Sequence, residues 1–359
     1  MKKYKSEKFY YDNSAILGYK AIFYILLGGR GCGKTFSTQK YCIKRWLKTG
    51  EPFAWLRLKE PSMKKLLANN AQSLIDSELV RKYNLNFVVR GNSVYVQTGP
   101  GKNDLKEFCR VMALSTFYQD KGISMNRKSD GTPKSDRLKK CDENMKNEMK
   151  PYKTIVLDEM NSERSEKKTF DICYALVNQL ENLCRLDTSR RVFLLGNTLE
   201  EGSDILAGAF NFIPDEFGIY KLHKKSAVIH YIEDSDKYKA ARKNSIAGIL
   251  APDESTFTNK VKSDLELIAK VNPSKLKPSG IVLFDNNKKY VLCGNIITQR
   301  KVPEGAKLPI LALRPYLVGV PYEAERARIF IGNVQARLFR FDRLITLKKF
   351  MAEIKLLKQ

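Results

Sequence analysis

Apolar residues fall along this chain in two rhythms. Residues 21–27 (AIFYILL) form a continuous apolar run of the kind a buried strand carries. Residues 53–58 (FAWLRL) alternate as a sheet strand does, 108–114 form another strand pattern, and 154–157 (TIVL) and 192–195 (VFLL) are again short and apolar. Between these runs the spacing changes to three and four. Phe36, Ile43, Trp46 and Leu47 share one side of a helix over 36–47, and Phe170, Cys173, Leu176, Val177, Leu180 and Leu183 do so over 169–186. Residues 86–98 (NFVVRGNSVYVQT) depart from the alternation: two β-forming runs around Gly91-Asn92 predict a hairpin.

After residue 210 the pattern shifts. Residues 202–225 carry scattered apolar positions around Pro214, and a short strand-like stretch lies between His223 and His230. Helices are predicted over 237–250 and 255–271, the second with Phe257, Val261, Leu265 and Ile268 on one face and a stop at Pro273. Strand patterns return at 281–284, 290–298 and 310–313, and two helices follow over 324–339 and 343–357. The expected organisation is an α/β domain over 1–210 with a mostly parallel sheet, a small helical linker or lid over 211–272, and a small α+β domain over 273–359.

The chemistry is densest where the first strand ends. Residues 25–35 (ILLGGRGCGKT) read strand, glycine loop, helix start, and match the P-loop pattern G-x-x-x-x-G-K-[ST] at Gly28, Gly33, Lys34 and Thr35. Glycines let the backbone of Gly28, Gly29, Arg30, Gly31, Cys32 and Gly33 curl so that successive N–H groups face phosphate oxygens. The helix start adds its partial positive charge. Lys34 is expected on the β- and γ-phosphates and the Thr35 hydroxyl on Mg²⁺. Cys32 is expected to be a small filler. A nucleoside triphosphate is the predicted ligand.

A second element complements the first. The run 154–157 ends directly in Asp158 and Glu159, and an apolar strand closed by two acids is the Walker B arrangement. Asp158 would hold the metal shell and Glu159 would polarise an attacking water. The run 192–195 ends in Gly196-Asn197, which makes Asn197 a candidate sensor of the γ-phosphate or a plain turn residue. Arg57 and Lys59, at the end of the second strand, read equally as phosphate-facing or as surface charge. Tyr10, Tyr11 and Asp12, ahead of the first strand, read as base contacts or as core residues.

Charge narrows the partner. The 359 residues carry 64 Lys and Arg against 39 acids, a net +25. By region this is about +13 over 1–210, +1 over 211–272 and +11 over 273–359, so a neutral connector separates two basic blocks. Such an excess favours a polyanionic partner, nucleic acid above all, over a solubilising surface. Residues 121–153 concentrate ten Lys and Arg against five acids with few apolar positions. This segment cannot build a core; it is expected to be a mobile loop whose Arg127, Lys128, Lys134, Arg137, Lys139 and Lys140 contact DNA, or an insertion without a role. The seven cysteines, at 32, 42, 109, 141, 173, 184 and 293, form no Cys-x-x-Cys pair, which speaks against a zinc site or a disulfide frame. No apolar run reaches the roughly 18 residues of a membrane span. No apolar signal core follows Met1-Lys2-Lys3, so secretion is not expected.

Taken in order, FYYDNSAILGYK (9–20), LGGRGCGKT (27–35), FAWLRLK (53–59), FYQDK (117–121), TIVLDEM (154–160), ENLCRLDTSRRVFLLGNT (181–198) and LFRFDRLITLKKF (338–350) resemble the DNA-packaging (encapsidation) ATPases of phi29-like small tailed bacteriophages. These are additional-strand (ASCE) P-loop ring ATPases. The resemblance implies ATP and Mg²⁺ as cofactors and a homomeric ring, a pentamer by analogy with the family. It also implies Arg185 as an arginine finger acting on the neighbouring subunit, Lys121 as a second interface lysine, and Arg30 as a coupling residue. Double-stranded DNA, the portal of a procapsid and a structural packaging RNA are the implied partners. The implied place of action is the host cytoplasm, docked on the procapsid vertex and not in a membrane. The last domain is implied to be RNase H-like. Its six acids, Asp285, Glu304, Glu323, Glu325, Asp342 and Glu353, lie mostly in turns and helices, so no nuclease activity is expected. The longer basic insertion at 126–150 departs from the family. The alternative is a helicase-like or recombination ATPase working on single strands.

Overall fold

The computed structural model describes residues 8–357 apart from 102, 121–151, 162–169, 186, 198–203, 215, 251–266, 270–274, 286–287, 303–305 and 318. The chain divides into two compact units, residues 1–205 with 216–259, and residues 206–215 with 260–359.

The first unit begins with α1 (Ser14–Leu17), β1 (Phe23–Leu27), α2 (Lys34–Thr49), β2 (Phe53–Arg57), α3 (Glu60–Ala71) and α4 (Ser77–Lys82). It continues through β3 (Phe87–Arg90), β4 (Ser93–Gln97), β5 (Leu105–Ala113), β6 (Thr154–Asp158), α5 (Ile172–Cys184) and β7 (Arg191–Gly196). It ends with β8 (Gly218–Leu222), β9 (Ala227–Tyr231), α6 (Asp236–Lys243) and α7 (Ile246–Leu250). One nine-stranded sheet runs β3-β4-β5-β2-β6-β7-β1-β9-β8. Its six inner strands, β5 to β9 in that order, are parallel to one another; β3, β4 and β8 add antiparallel edges. The expected α/β fold with a mostly parallel sheet is the one observed.

The apolar runs explain the layout. Every residue of β6 and β9 is buried, as is all of β1 after Phe23, which is what strands covered on both faces require. Each buried Leu, Ile, Val or Phe of this layer contributes about 2 kcal/mol of transfer free energy. Tyr24 of β1 stacks on Phe193 of β7 with centroids 5.1 Å apart, and Trp46 of α2 meets Phe108 of β5 edge-on at 5.3 Å. The hairpin expected over 86–98 is β3–β4, turning at Gly91.

The boundary expected at residue 210 is corrected. Strand β9 pairs in parallel with β1 from Phe23↔Ala227 to Leu27↔Tyr231, and the Ile232 N–H donates to the Leu27 carbonyl at 2.7 Å. Residues 218–231 therefore extend the sheet and are not part of a helical linker. The predicted helix over 237–250 is broken into α6 and α7, with the Ser245 hydroxyl accepting from the Gly248 N–H at 3.2 Å. The predicted helix over 255–271 lies mostly outside the described residues.

The second unit holds β10 (Gly280–Leu283), β11 (Lys289–Cys293), β12 (Ile296–Thr298), β13 (Ile310–Ala312), α8 (Ala324–Gln335), β14 (Arg340–Phe341) and α9 (Leu344–Leu356). The sheet order is β13-β10-β11-β12-β14. Strands β10, β11 and β12 form an antiparallel meander, with β13 parallel to β10 and β14 parallel to β12. Phe284, Tyr290, Phe341 and Phe350 pack ring on ring in its core. This is the α+β arrangement expected of a small RNase H-like domain. Among the described residues no helix is long and apolar enough to cross a membrane.

Candidate nucleotide-binding site

Because β1, β6 and β7 are parallel, their carboxyl ends meet at one edge of the sheet, where Leu27 lies beside Gly196 and Asp158 beside Leu195. The loop 28–33 leaves β1 at this edge, and its Gly28 N–H donates to the Gly196 carbonyl at 3.3 Å. Gly33 has φ +103°, and a Cβ there would lie 3.1 Å from Tyr10 Cβ and 3.2 Å from the Tyr11 nitrogen. Only glycine combines that backbone with that approach. Helix α2 starts at the next residue. Buried Lys34 turns back over the loop, its Nζ donating to the Gly28 and Gly29 carbonyls at 2.9 and 2.8 Å. The ammonium is thus held where an anion in the loop would meet it. Burial pushes the Cys32 thiol up, and the Lys34 charge opposes this.

The lead-in to β1 packs on this loop. The Tyr11 N–H donates to the Cys32 carbonyl at 2.8 Å, and the Tyr238 hydroxyl of α6 donates to the Arg30 carbonyl at 3.1 Å. Tyr11 is a core residue beside His230. Tyr10 stays exposed at the loop. Asp12 accepts from Lys8 and from the Ser14 N–H.

Across the edge, the Thr35 hydroxyl donates to Asp158 Oδ1 at 3.2 Å. The two groups that the sequence assigns to one metal ion, 123 residues apart, are therefore adjacent. Burial pushes the Asp158 carboxyl up, the Arg57 guanidinium opposes this, and the Glu159 charge adds to it. A hydroxyl and a buried carboxylate are hard oxygen donors of the kind Mg²⁺ takes, so the residues present fit that ion. Glu159 follows with φ +60° and an exposed side chain.

Sequence reasoning left Arg57 undecided between phosphate and surface. In the fold, β2 lies directly beside β6, and Arg57 Nη1 stands 3.2 Å from Asp158 Oδ2 and 2.8 Å from Glu159 Oε2. It clamps both acids. Asp234, just past β9, was missed altogether: it is buried, burial pushes its carboxyl up, and Arg242 and Lys34 draw it down. Its only sequence signal is an acid soon after a short apolar run.

Asn197 directly follows Gly196 and so stands at the same edge, partly buried. Arg185 does not. It caps α5 ahead of β7, at the amino edge of the sheet, where Arg191 pairs with Thr154. The six residues of β7 alone span roughly 20 Å. Arg185 is exposed, with φ +47° and ψ −122°. That backbone is the first central position of a turn type dominated by glycine, and holding another residue there costs on the order of 1–3 kcal/mol.

Lys121 and the DNA candidates Arg127, Lys128, Lys134, Arg137, Lys139 and Lys140 lie outside the described residues. In the second unit, Lys288 Nζ sits 2.8 Å from Glu353 Oε1 and 3.8 Å from Asp285 Oδ2, a built-in cation between two of the six acids. Asp342 is paired with Arg343 at 3.4 Å.

Residues 5–105 match the family described as Podovirus DNA encapsidation protein (Gp16). Over 76 residues the chain is 34% identical to the DNA packaging protein of Bacillus phage phi29, covering 20% of this chain and 23% of the relative. Over 51 residues it is 39% identical to the DNA packaging protein of Bacillus phage B103, covering 14% and 16%. The chain thus spans about a quarter or less of the length of the curated relatives it matches. In fold it is similar to a chain of the bacteriophage Phi-29 viral genome packaging motor assembly, with TM-score 0.61, 16% identity, and 98% and 100% of the two chains covered. It is also similar to a chain of the Phi-28 DNA packaging motor, with TM-score 0.55, 15% identity and 99% of each chain covered. The resemblance to the phi29-like encapsidation ATPases is therefore present at two levels, as a family match over residues 5–105, which hold the P-loop, and as a shared fold over nearly the whole chain.

Proposed function

We propose that this chain is an ATP-driven translocase that packages double-stranded viral DNA into a procapsid. The observation that carries this is the meeting of Thr35 with Asp158, because it joins the glycine cradle to the strand-end acids in one site. ATP binds with its phosphates on the N–H groups of residues 28–33, and Lys34 exchanges the loop carbonyls for β- and γ-phosphate oxygens. Thr35 and Asp158 would hold Mg²⁺, which would neutralise phosphate charge. Glu159, released from Arg57, orients the attacking water.

Arg185 acts on a neighbouring subunit. Its place at the amino edge of the sheet, opposite the cradle, supports action across a ring of copies, a pentamer by family analogy. A trans arginine is worth about 10³-fold or more in rate. Asn197 senses the γ-phosphate, and Arg30 and Lys121 couple neighbouring subunits. Arg127, Lys128, Lys134, Arg137, Lys139 and Lys140 contact the DNA backbone, giving a grip that ignores base sequence and weakens with salt. The basic second unit contacts DNA, the portal or a structural RNA. Lack of nuclease activity is part of this reading: its six acids lie mostly in turns and helices, and two of them, Asp285 and Glu353, are paired with Lys288. The work is done in the host cytoplasm, on the procapsid vertex.

ATP hydrolysis measured with purified procapsid, with and without double-stranded DNA, tests this. Stimulation by DNA together with packaging is the expected result. Unwinding of duplex DNA without a procapsid would point to a helicase instead.

A further inference from the structure

The strained backbone at Arg185 is held by an unusually complete set of bonds centred on one carboxylate. The Asp187 N–H donates to the Cys184 carbonyl at 2.9 Å and closes the turn over Arg185. The Asp187 side chain accepts from Lys153 Nζ at 2.9 Å, from the Ser189 N–H at 2.9 Å and hydroxyl at 2.6 Å, and from Arg190 Nε at 3.2 Å. Both cations are fastened to the sheet. Lys153 immediately precedes β6, and its carbonyl accepts from the Arg191 N–H at 2.9 Å. Buried Arg190 also donates through Nη1 to the Tyr152 carbonyl at 3.0 Å. Partial burial pushes the Asp187 carboxyl up, but the bonds from Ser189 and Lys153 and the charge of Arg190 outweigh it and hold the group well below the usual carboxylate range.

A tight turn needs none of this to form. Glycine at 185 would make the turn without strain, whereas here a long cation stands in a glycine-type conformation and a charged hub braces the chain two residues on. Strain that survives only because its surroundings over-determine it marks a position whose side-chain direction matters.

We infer that Asp187 is a positioning residue for the reaction in the neighbouring subunit: with Lys153, Ser189 and Arg190 it anchors the Arg185 turn to β6 and β7 and so fixes the direction in which the guanidinium is presented. This rests on the trans-finger proposal above. A finger that wanders by an ångström loses about tenfold to a hundredfold in rate while substrate affinity is kept, because ATP is bound by the other subunit's cradle.

The test is complementation between full-length subunits, read as DNA-stimulated ATP hydrolysis. Lys34→Ala supplies a dead cradle with an intact finger. Mixed with Arg185→Ala, it should restore activity by pairing a live cradle with a foreign finger; failure of that pair overturns the trans-finger proposal itself. With that control positive, Asp187→Asn alone should lower kcat about tenfold or more with KM for ATP within about twofold, and adding Lys34→Ala subunits should rescue it. Full activity of Asp187→Asn, or a loss that Lys34→Ala does not rescue, overturns the inference. If Asp187→Asn does not fold, Lys153→Met removes one arm of the brace and carries the same test: a smaller, rescuable fall in kcat supports the inference, and unchanged kcat sinks it. Arg185→Gly adds a readout on strain. Its thermal midpoint should equal or exceed that of the parent while finger activity is lost, and a clear fall in the midpoint would show that the turn is not strained.

Discussion

The two edges of the large sheet handle charge in opposite ways. At the carboxyl edge, Lys34 rests on loop carbonyls, Asp158 is buried with its carboxyl pushed up, and Arg57 clamps two acids. On the proposed function, a magnesium nucleotide replaces the partners that these groups hold here. At the amino edge, Asp187 is tied to four donors and its carboxyl is held down, while Arg185 is exposed. One edge is built to exchange partners and the other to keep them. A site that cycles through ATP and ADP needs the first property. A group presented to someone else's site needs the second.

The sharpest way to break this contrast is Glu159→Gln. On the proposed mechanism it lowers turnover by 10³-fold or more while fluorescent ATP analogues still bind, and retained turnover would remove the strand-end acids from the chemistry. Arg185→Ala should cost about 10³-fold in turnover when every subunit carries it. No recovery of turnover on mixing with Lys34→Ala subunits would contradict action in trans.

A smaller effect is expected from Arg57→Ala. The guanidinium favours ionised Asp158, so its removal raises that carboxyl further, and the acid limb of the pH–rate profile should move to higher pH. A profile that stays in place would make Arg57 a structural residue only. The smallest effect concerns stability alone. Burial lowers His230 to about 4 from an ordinary value near 6.5. The unfolded chain then binds a proton that the folded one refuses, so the thermal midpoint should fall as pH drops from about 6.5 towards 4. A His230→Gln protein should lack that slope.

The site's core was legible in the sequence because it is local. Gly28, Gly33, Lys34 and Thr35 sit within eight positions of one another, and a glycine loop between an apolar run and a helix start has one geometry whatever surrounds it. Asp158 and Glu159 were legible for the same reason, as acids closing an apolar strand. Arg57 was not. Its partners come from another strand, and whether a basic strand end meets phosphate, solvent or acids depends on which strand lies next to it. The stretch between His223 and His230 looked like a strand but not like a member of the main sheet, since nothing in five residues says that β1 is the neighbour.

Local sequence marked most of the strands, the helices over 36–47 and 169–186, and the candidate nucleotide loop, because periodicity, glycine loops and strand-end acids act over a few residues. Tertiary structure decided that β2 stands beside β6, that β9 extends the sheet past the expected boundary, and that Arg185 sits a strand length from its own cradle. Strand order is chosen by burial summed over the whole sheet, with pairings more than a hundred residues apart, and no local window of the chain contains that sum.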